Sequence, residues 1–86
     1  RKISIFVKIN YMTLGERRVR VKFNVGGSST VDVFKQKSAE LIDLVNNLSA
    51  TRELDKDDTS EFFRLRALAM TAYEEAAGWA VKAATI

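Results

Sequence analysis

The chain has 86 residues, a formal net charge of +3, and neither cysteine nor histidine. That composition excludes disulfide frameworks, thiol nucleophiles, imidazole bases and nearly every zinc or transition-metal site. A single small domain over 1–86 is expected, able to bury only about 60 to 65% of the surface its unfolded form exposes.

The charge is uneven. Residues 1–37 carry nine Lys/Arg against two acids, whereas residues 38–86 carry five against nine. The basic half suits phosphates, the acidic half of a neighbouring subunit, or plain solvation. No apolar run approaches the roughly 18 residues of a spanning helix, and the basic, apolar start lacks a small-residue cleavage site. The reading is therefore of a soluble protein without membrane contact, in a reducing, cytoplasmic setting.

In chain order, ISIFVKI (3–9) and VRVKFNV (19–25) alternate apolar residues at period two and read as strands. Gly15, in the connection between them, suits a turn, so the expected fold is α+β, opening on a β-hairpin over 1–25 that turns near Leu14 to Glu16. An isolated hairpin is marginal in water and must pack on something. Its outward face would carry Arg18, Arg20 and Lys22.

NVGGSST then frees the backbone and opens a helix, with Ser28, Ser29 or Thr30 as the cap and Asp32 at the positive end of the dipole. Val31, Phe34, Ser38, Leu41, Val45 and Leu48 form its apolar seam, widened by Ile42 and Leu44, and it should end between Leu48 and Thr51. RELDKDD is too charged for an interior and reads as a connection, with Thr59 or Ser60 capping a second helix. Phe62, Leu65, Ala69, Ala72, Ala76, Trp79 and Ala83 continue the same spacing, which places Trp79 in the core. The short connection makes the two helices an antiparallel hairpin over 29–85. A second row, Met70, Tyr73, Ala77, Ala80 and Ala84, is displaced by one position. Either the strand hairpin covers it, or protomers meet there helix to helix, since alanine lets helices approach closely.

No catalytic set assembles. Glu74 and Glu75 point apart, Asp57 and Asp58 sit in a charged loop, and the serines have neither histidine nor an SxxK lysine. An enzyme is not expected, and no cofactor is implied. GGSST before a helix suits either a phosphate or simple capping, and lacks the spacing and lysine of a P-loop. Lys35 and Lys37 lie early in the first helix and Arg64 and Arg66 early in the second. Antiparallel packing separates Lys35 from the arginines by about 20 Å at 1.5 Å per residue, so they share a pocket only across an interface. Tyr11 either stacks on a base or covers the edge of the core. RRVRVKFN before two helices also has the outline of a ribbon-helix-helix regulator, which would read DNA through Arg18, Arg20 and Lys22.

FNVGGSSTVDVFKQKSAELID together with RLRALAMTAYEEAAGWAVKAAT resembles the helical-hairpin domain of the phage anti-CBASS and anti-Thoeris nucleotide sponges. The similarity spans residues 23 to 85 and is most distinctive in TAYEEAAGWAVKAAT. The resemblance implies a homo-oligomer, a hexamer by that likeness, that sequesters cyclic di- and trinucleotides or a cyclic ADP-ribose derivative without cleaving them. It also implies ligand contacts at Asn24, Ser29, Thr30, Lys35 and Arg64, with Arg66 beside it and Tyr11 standing for a base-stacking aromatic. A cyclic oligonucleotide carries two or three phosphates and as many bases, which a symmetric oligomer meets with repeated copies of one cation and one aromatic.

Overall fold

The computed structural model describes residues 12–22, 24 and 26–86, and these form three helices: α1 (Leu14–Val19), α2 (Ser29–Asn46) and α3 (Lys56–Ala84). No strand occurs among the described residues. The expected β-hairpin is thus overturned: its turn and the start of its second strand are helix α1, and Arg20, Val21 and Lys22 form the turn that follows. The strand expected over 3–9 lies outside the described residues.

The signal for α1 is a capping box. Thr13 Oγ1 accepts from the Glu16 amide at 3.1 Å, and Glu16 Oε1 accepts from the Thr13 amide at 2.9 Å. Such reciprocal bonds satisfy two of the amides that a helix start leaves orphaned. Gly15 makes no turn. A Cβ built on it would lie 2.8 Å from the Ala39 carbonyl carbon and closer still to its oxygen, so glycine is there to let α1 lie directly on the backbone of α2.

A six-residue helix is unstable alone, and α2 holds this one at both ends. At its start the Gly15 amide donates to Asp43 Oδ1 at 2.7 Å. At its end Lys35 Nζ donates to the Arg20 carbonyl at 3.1 Å. An acid at the positive end and a cation at the negative end both complement the helix dipole. Because Asp43 comes late in α2 and Lys35 early, α1 runs antiparallel to α2.

Ser28 caps α2, its Oγ accepting from the Val31 amide at 3.3 Å, and the helix stops at Asn46, earlier than its apolar spacing suggests. α3 begins before either expected cap. Asp55 accepts from the Asp58 amide at 2.8 Å, and Asp57 and Asp58 occupy the first turn. The charge of RELDKDD suits a loop, yet its acids are also what a helix start favours.

The core sits where the three helices meet. Val19 of α1, Ala39 and Ile42 of α2, and Met70 and Ala77 of α3 are buried together, with Leu14, Val21, Val45 and Tyr73 packed around them. The inward row of α3 is therefore Met70, Tyr73 and Ala77. The seam led by large residues faces outward: Leu65 is 51% and Trp79 67% exposed, which corrects the placement of Trp79 in the core. On α2 the inward row is Val31, Lys35, Ala39 and Ile42, and Phe34, Leu41, Leu44 and Leu48 of the expected seam are exposed.

Candidate functional site

Built upward from the sequence candidates, the N-terminal end of α2 is occupied by its own capping. The Asn24 side-chain amide donates to the Ser28 carbonyl at 2.7 Å and to Asp32 Oδ1 at 2.8 Å, which ties the loop down onto the first turn. Ser29 and Thr30 are exposed on that turn, and Ser28 is the cap. Lys35 is buried, with its ammonium on the Arg20 carbonyl. Tyr11 lies outside the described residues.

Arg64 and Arg66 sit at the far end of the hairpin, beside the α2–α3 connection. Arg64 forms a two-point pair with Glu61, Nε to Oε1 at 2.9 Å and Nη2 to Oε2 at 2.8 Å. Bonding to that guanidinium lowers the Glu61 carboxyl below its ordinary range, and the reciprocal bond raises Arg64 above its own. Arg66 Nη1 donates to the Asn46 carbonyl at 3.2 Å, which closes the C-terminal end of α2, and its guanidinium lies 5.0 Å from the Phe63 ring centroid. Arg66 thus has an architectural task, and Arg64 meets an incoming anion only by sharing or leaving Glu61. These arginines and Lys35 do not meet in one protomer.

Arg18, Arg20 and Lys22 are not strand residues, so the ribbon that a ribbon-helix-helix reader would insert into a DNA groove is absent at these positions. Two of them line something else. A groove of about 370 Å³ runs between the C-terminal end of α1 and the C-terminal half of α3. Arg18, Arg20, Lys35 and Lys82 bring cations to it, Glu74 brings one carboxylate, and Val19, Ala77, Gly78 and Val81 form its apolar floor. Arg18 Nη1 is 3.9 Å from Glu74 Oε1, a loose and half-exposed pair. Lys82 Nζ lies 4.8 Å from the centroid of the exposed Trp79 ring.

Sequence reasoning noticed Arg18 and Arg20 but set them on a strand, and it passed over Lys82. The signal that would have placed them is the Thr13/Glu16 capping box, which makes a helix that ends at Arg18 and Val19 and so opposes the last turns of α3. Among the described residues no group of His, Cys, Asp or Glu is arranged to hold a metal, and no helix is long and apolar enough to cross a membrane.

A family model for the hairpin domain of Acb2/Tad1 matches residues 15–85, from the second residue of α1 to the end of α3. The chain belongs to the Acb2/Tad1 hairpin family. No curated protein and no solved structure matches it significantly. The Acb2/Tad1 match spans α1, the α2–α3 hairpin and the groove between them, so these features lie within the family's domain and are not an appendage to it. It begins at Gly15, which permits the close seat of α1 on α2. The family is that of the anti-CBASS and anti-Thoeris sponges.

Proposed function

We propose that this protein is a phage-encoded sponge, a homo-oligomer that binds cyclic nucleotide messengers of host immunity and holds them without cleaving them. The observation that carries the reading is the match of the Acb2/Tad1 hairpin domain over 15–85. Two features of the molecule support it. The described residues offer cations at both ends of the helical pair, as a ligand with several phosphates requires. They also leave a seam of apolar and small side chains, Leu65, Leu68, Ala72, Ala76 and Trp79, uncovered along α3. Monomers seldom expose contiguous apolar stripes, and alanines permit close helix approach, so this seam suits repeated copies of the chain. Sequestration needs affinity and abundance, with no general acid, base or metal.

The test is a thermal-shift panel of cyclic di-AMP, cyclic tri-AMP and cyclic ADP-ribose against short duplex DNA. A ligand that binds the folded state raises the Tm, and at a hundredfold excess over Kd the gain is about 2.7 kcal/mol. At least one cyclic nucleotide should raise the Tm and be recovered chemically intact. No shift with any cyclic nucleotide at saturation would sink the reading. Of the carried-over contacts, Arg64 is the most open to test: Arg64→Ala should weaken binding with the assembly intact, whereas unchanged affinity removes Arg64 from the site.

A further inference from the structure

Two residues at the α1/α3 groove break local rules that the rest of the fold obeys. Arg20, the C-cap of α1, sits at φ 55° and ψ 57°, the only non-glycine at positive φ among the described residues. Glycine takes that conformation without the steric cost an L side chain incurs, and it is the usual residue there. Gly78 lies inside α3, where alanine favours the helix more, and a Cβ built on it meets nothing within 4 Å. Packing within the protomer thus demands neither residue. Both line the same groove.

The two exceptions have opposite chemistry and one shared effect. Arg20 adds a guanidinium that makes no hydrogen bond or ion pair among the described residues, while Gly78 keeps the facing wall of α3 open. With Arg20 itself, Arg18, Lys35 and Lys82 set four cations against the carboxylate of Glu74 among the described residues. Arg18 and Lys82 lie in the last turns of their helices, where a cation also suits the dipole. That explanation reaches neither the strained arginine nor the helical glycine. Local costs without a packing return collect at binding sites. The volume of about 370 Å³ is within the range of roughly 300 to 1,000 Å³ typical of small-molecule sites.

We infer that this groove receives phosphodiester anions of the sequestered nucleotide, gripped by Arg18, Arg20 and Lys82. Lys35 is a positioning residue that fixes the Arg20 carbonyl beneath them. The inference rests on the sponge reading and names a site within it that is separate from Arg64. The lone tryptophan, 4.8 Å from the Lys82 ammonium, reports on a change at that lysine.

The experiment titrates the intact protein with the cyclic nucleotide that gives the largest thermal shift, following Trp79 fluorescence and calorimetric Kd. Wild type should show a saturable change in Trp79 emission. Arg20→Gly should raise the Tm, because the φ strain is relieved, and weaken binding about tenfold or more, because a charge-assisted contact is lost. A purely structural role for Arg20 cannot move stability and affinity in those opposite directions. Arg20→Lys, which keeps the charge, should retain most of the affinity. Gly78→Leu, which fills the groove, should also weaken binding at unchanged oligomeric state; should it fail to fold, Lys82→Ala takes its place with the same expectation. Tight binding by wild type with unchanged Kd in Arg20→Gly and Gly78→Leu (or Lys82→Ala) overturns the groove and leaves the sponge reading standing. Absence of binding by wild type to every cyclic nucleotide overturns both.

Discussion

Gly15 illustrates how one side chain decides a local fold. As a sequence feature it looks like a turn residue, because glycine tolerates positive φ. In the molecule it is helical, and its value is the missing methyl group, which lets α1 touch the Ala39 backbone. Gly15→Ala is therefore expected to destabilise the protein by about 1 to 3 kcal/mol, the usual cost of overpacking a tight contact. Thermal unfolding at fixed protein concentration checks this, because any assembly of the kind proposed would make the Tm concentration-dependent. An unchanged Tm would mean that α1 yields without cost. Ala39, wholly buried beneath Gly15, belongs to the same contact and leaves as little room for enlargement.

Among the elements, α1 has the least support of its own. Its box at Thr13 and Glu16 and its contacts with α2 are what keep six residues helical. The Asp43 carboxylate on the Gly15 amide and the Lys35 ammonium on the Arg20 carbonyl form a clamp matched in sign to the α1 dipole. Asp43→Ala should cost about 1 to 3 kcal/mol, as loss of a charge-assisted partner does. Hydrogen exchange then distinguishes local from global loosening. The amides of α1 should lose protection while those of mid α2 and α3 keep theirs. Uniform loss across all three helices would show that α1 is not a separable unit. The helical pair has its own buried contacts, centred on Ile42, Met70 and Ala77.

For the whole molecule, the outward seam matters most. Leu65, Leu68 and Trp79 on α3, Leu44 on α2 and Leu48 just beyond its end are each half exposed or more. On the sponge reading proposed above, this exposed apolar surface is where copies of the chain meet. Leu65→Glu combined with Leu68→Glu should turn an assembly into monomers by light scattering after gel filtration, with the helical circular dichroism retained. A wild-type chain that is monomeric at the working concentration removes assembly through this seam. If assembly is needed to bring Arg64 of one protomer near the groove of another, the same double variant should also lose nucleotide affinity.

What the sequence determined by itself was the helical hairpin, a hydroxyl cap within Ser28 to Thr30 and the family resemblance, all of which rest on spacing or local chemistry; the structure chose Ser28 as that cap. The candidate site was legible mostly as residue types: Arg18, Arg20, Lys35 and Arg64 are visible as cations and Lys35 as remote from Arg64, but not Arg18 and Arg20 as neighbours of Lys82. Tertiary structure decided three things. It made residues 14–19 a helix where the sequence suggested a glycine turn leading into a strand at Val19, because the Thr13 cap and contacts with Ala39, Asp43 and Lys35 hold that helix. It brought Arg18 and Arg20 to Lys82 across a groove. It also chose which stripe of α3 faces inward. Periodicity locates stripes without saying what covers each one, and the larger, more apolar stripe looked like the core. Helices that approach closely prefer small residues at the contact, so Ala39, Ala77 and Gly15 went inside, and Leu65 and Trp79 were left on the surface.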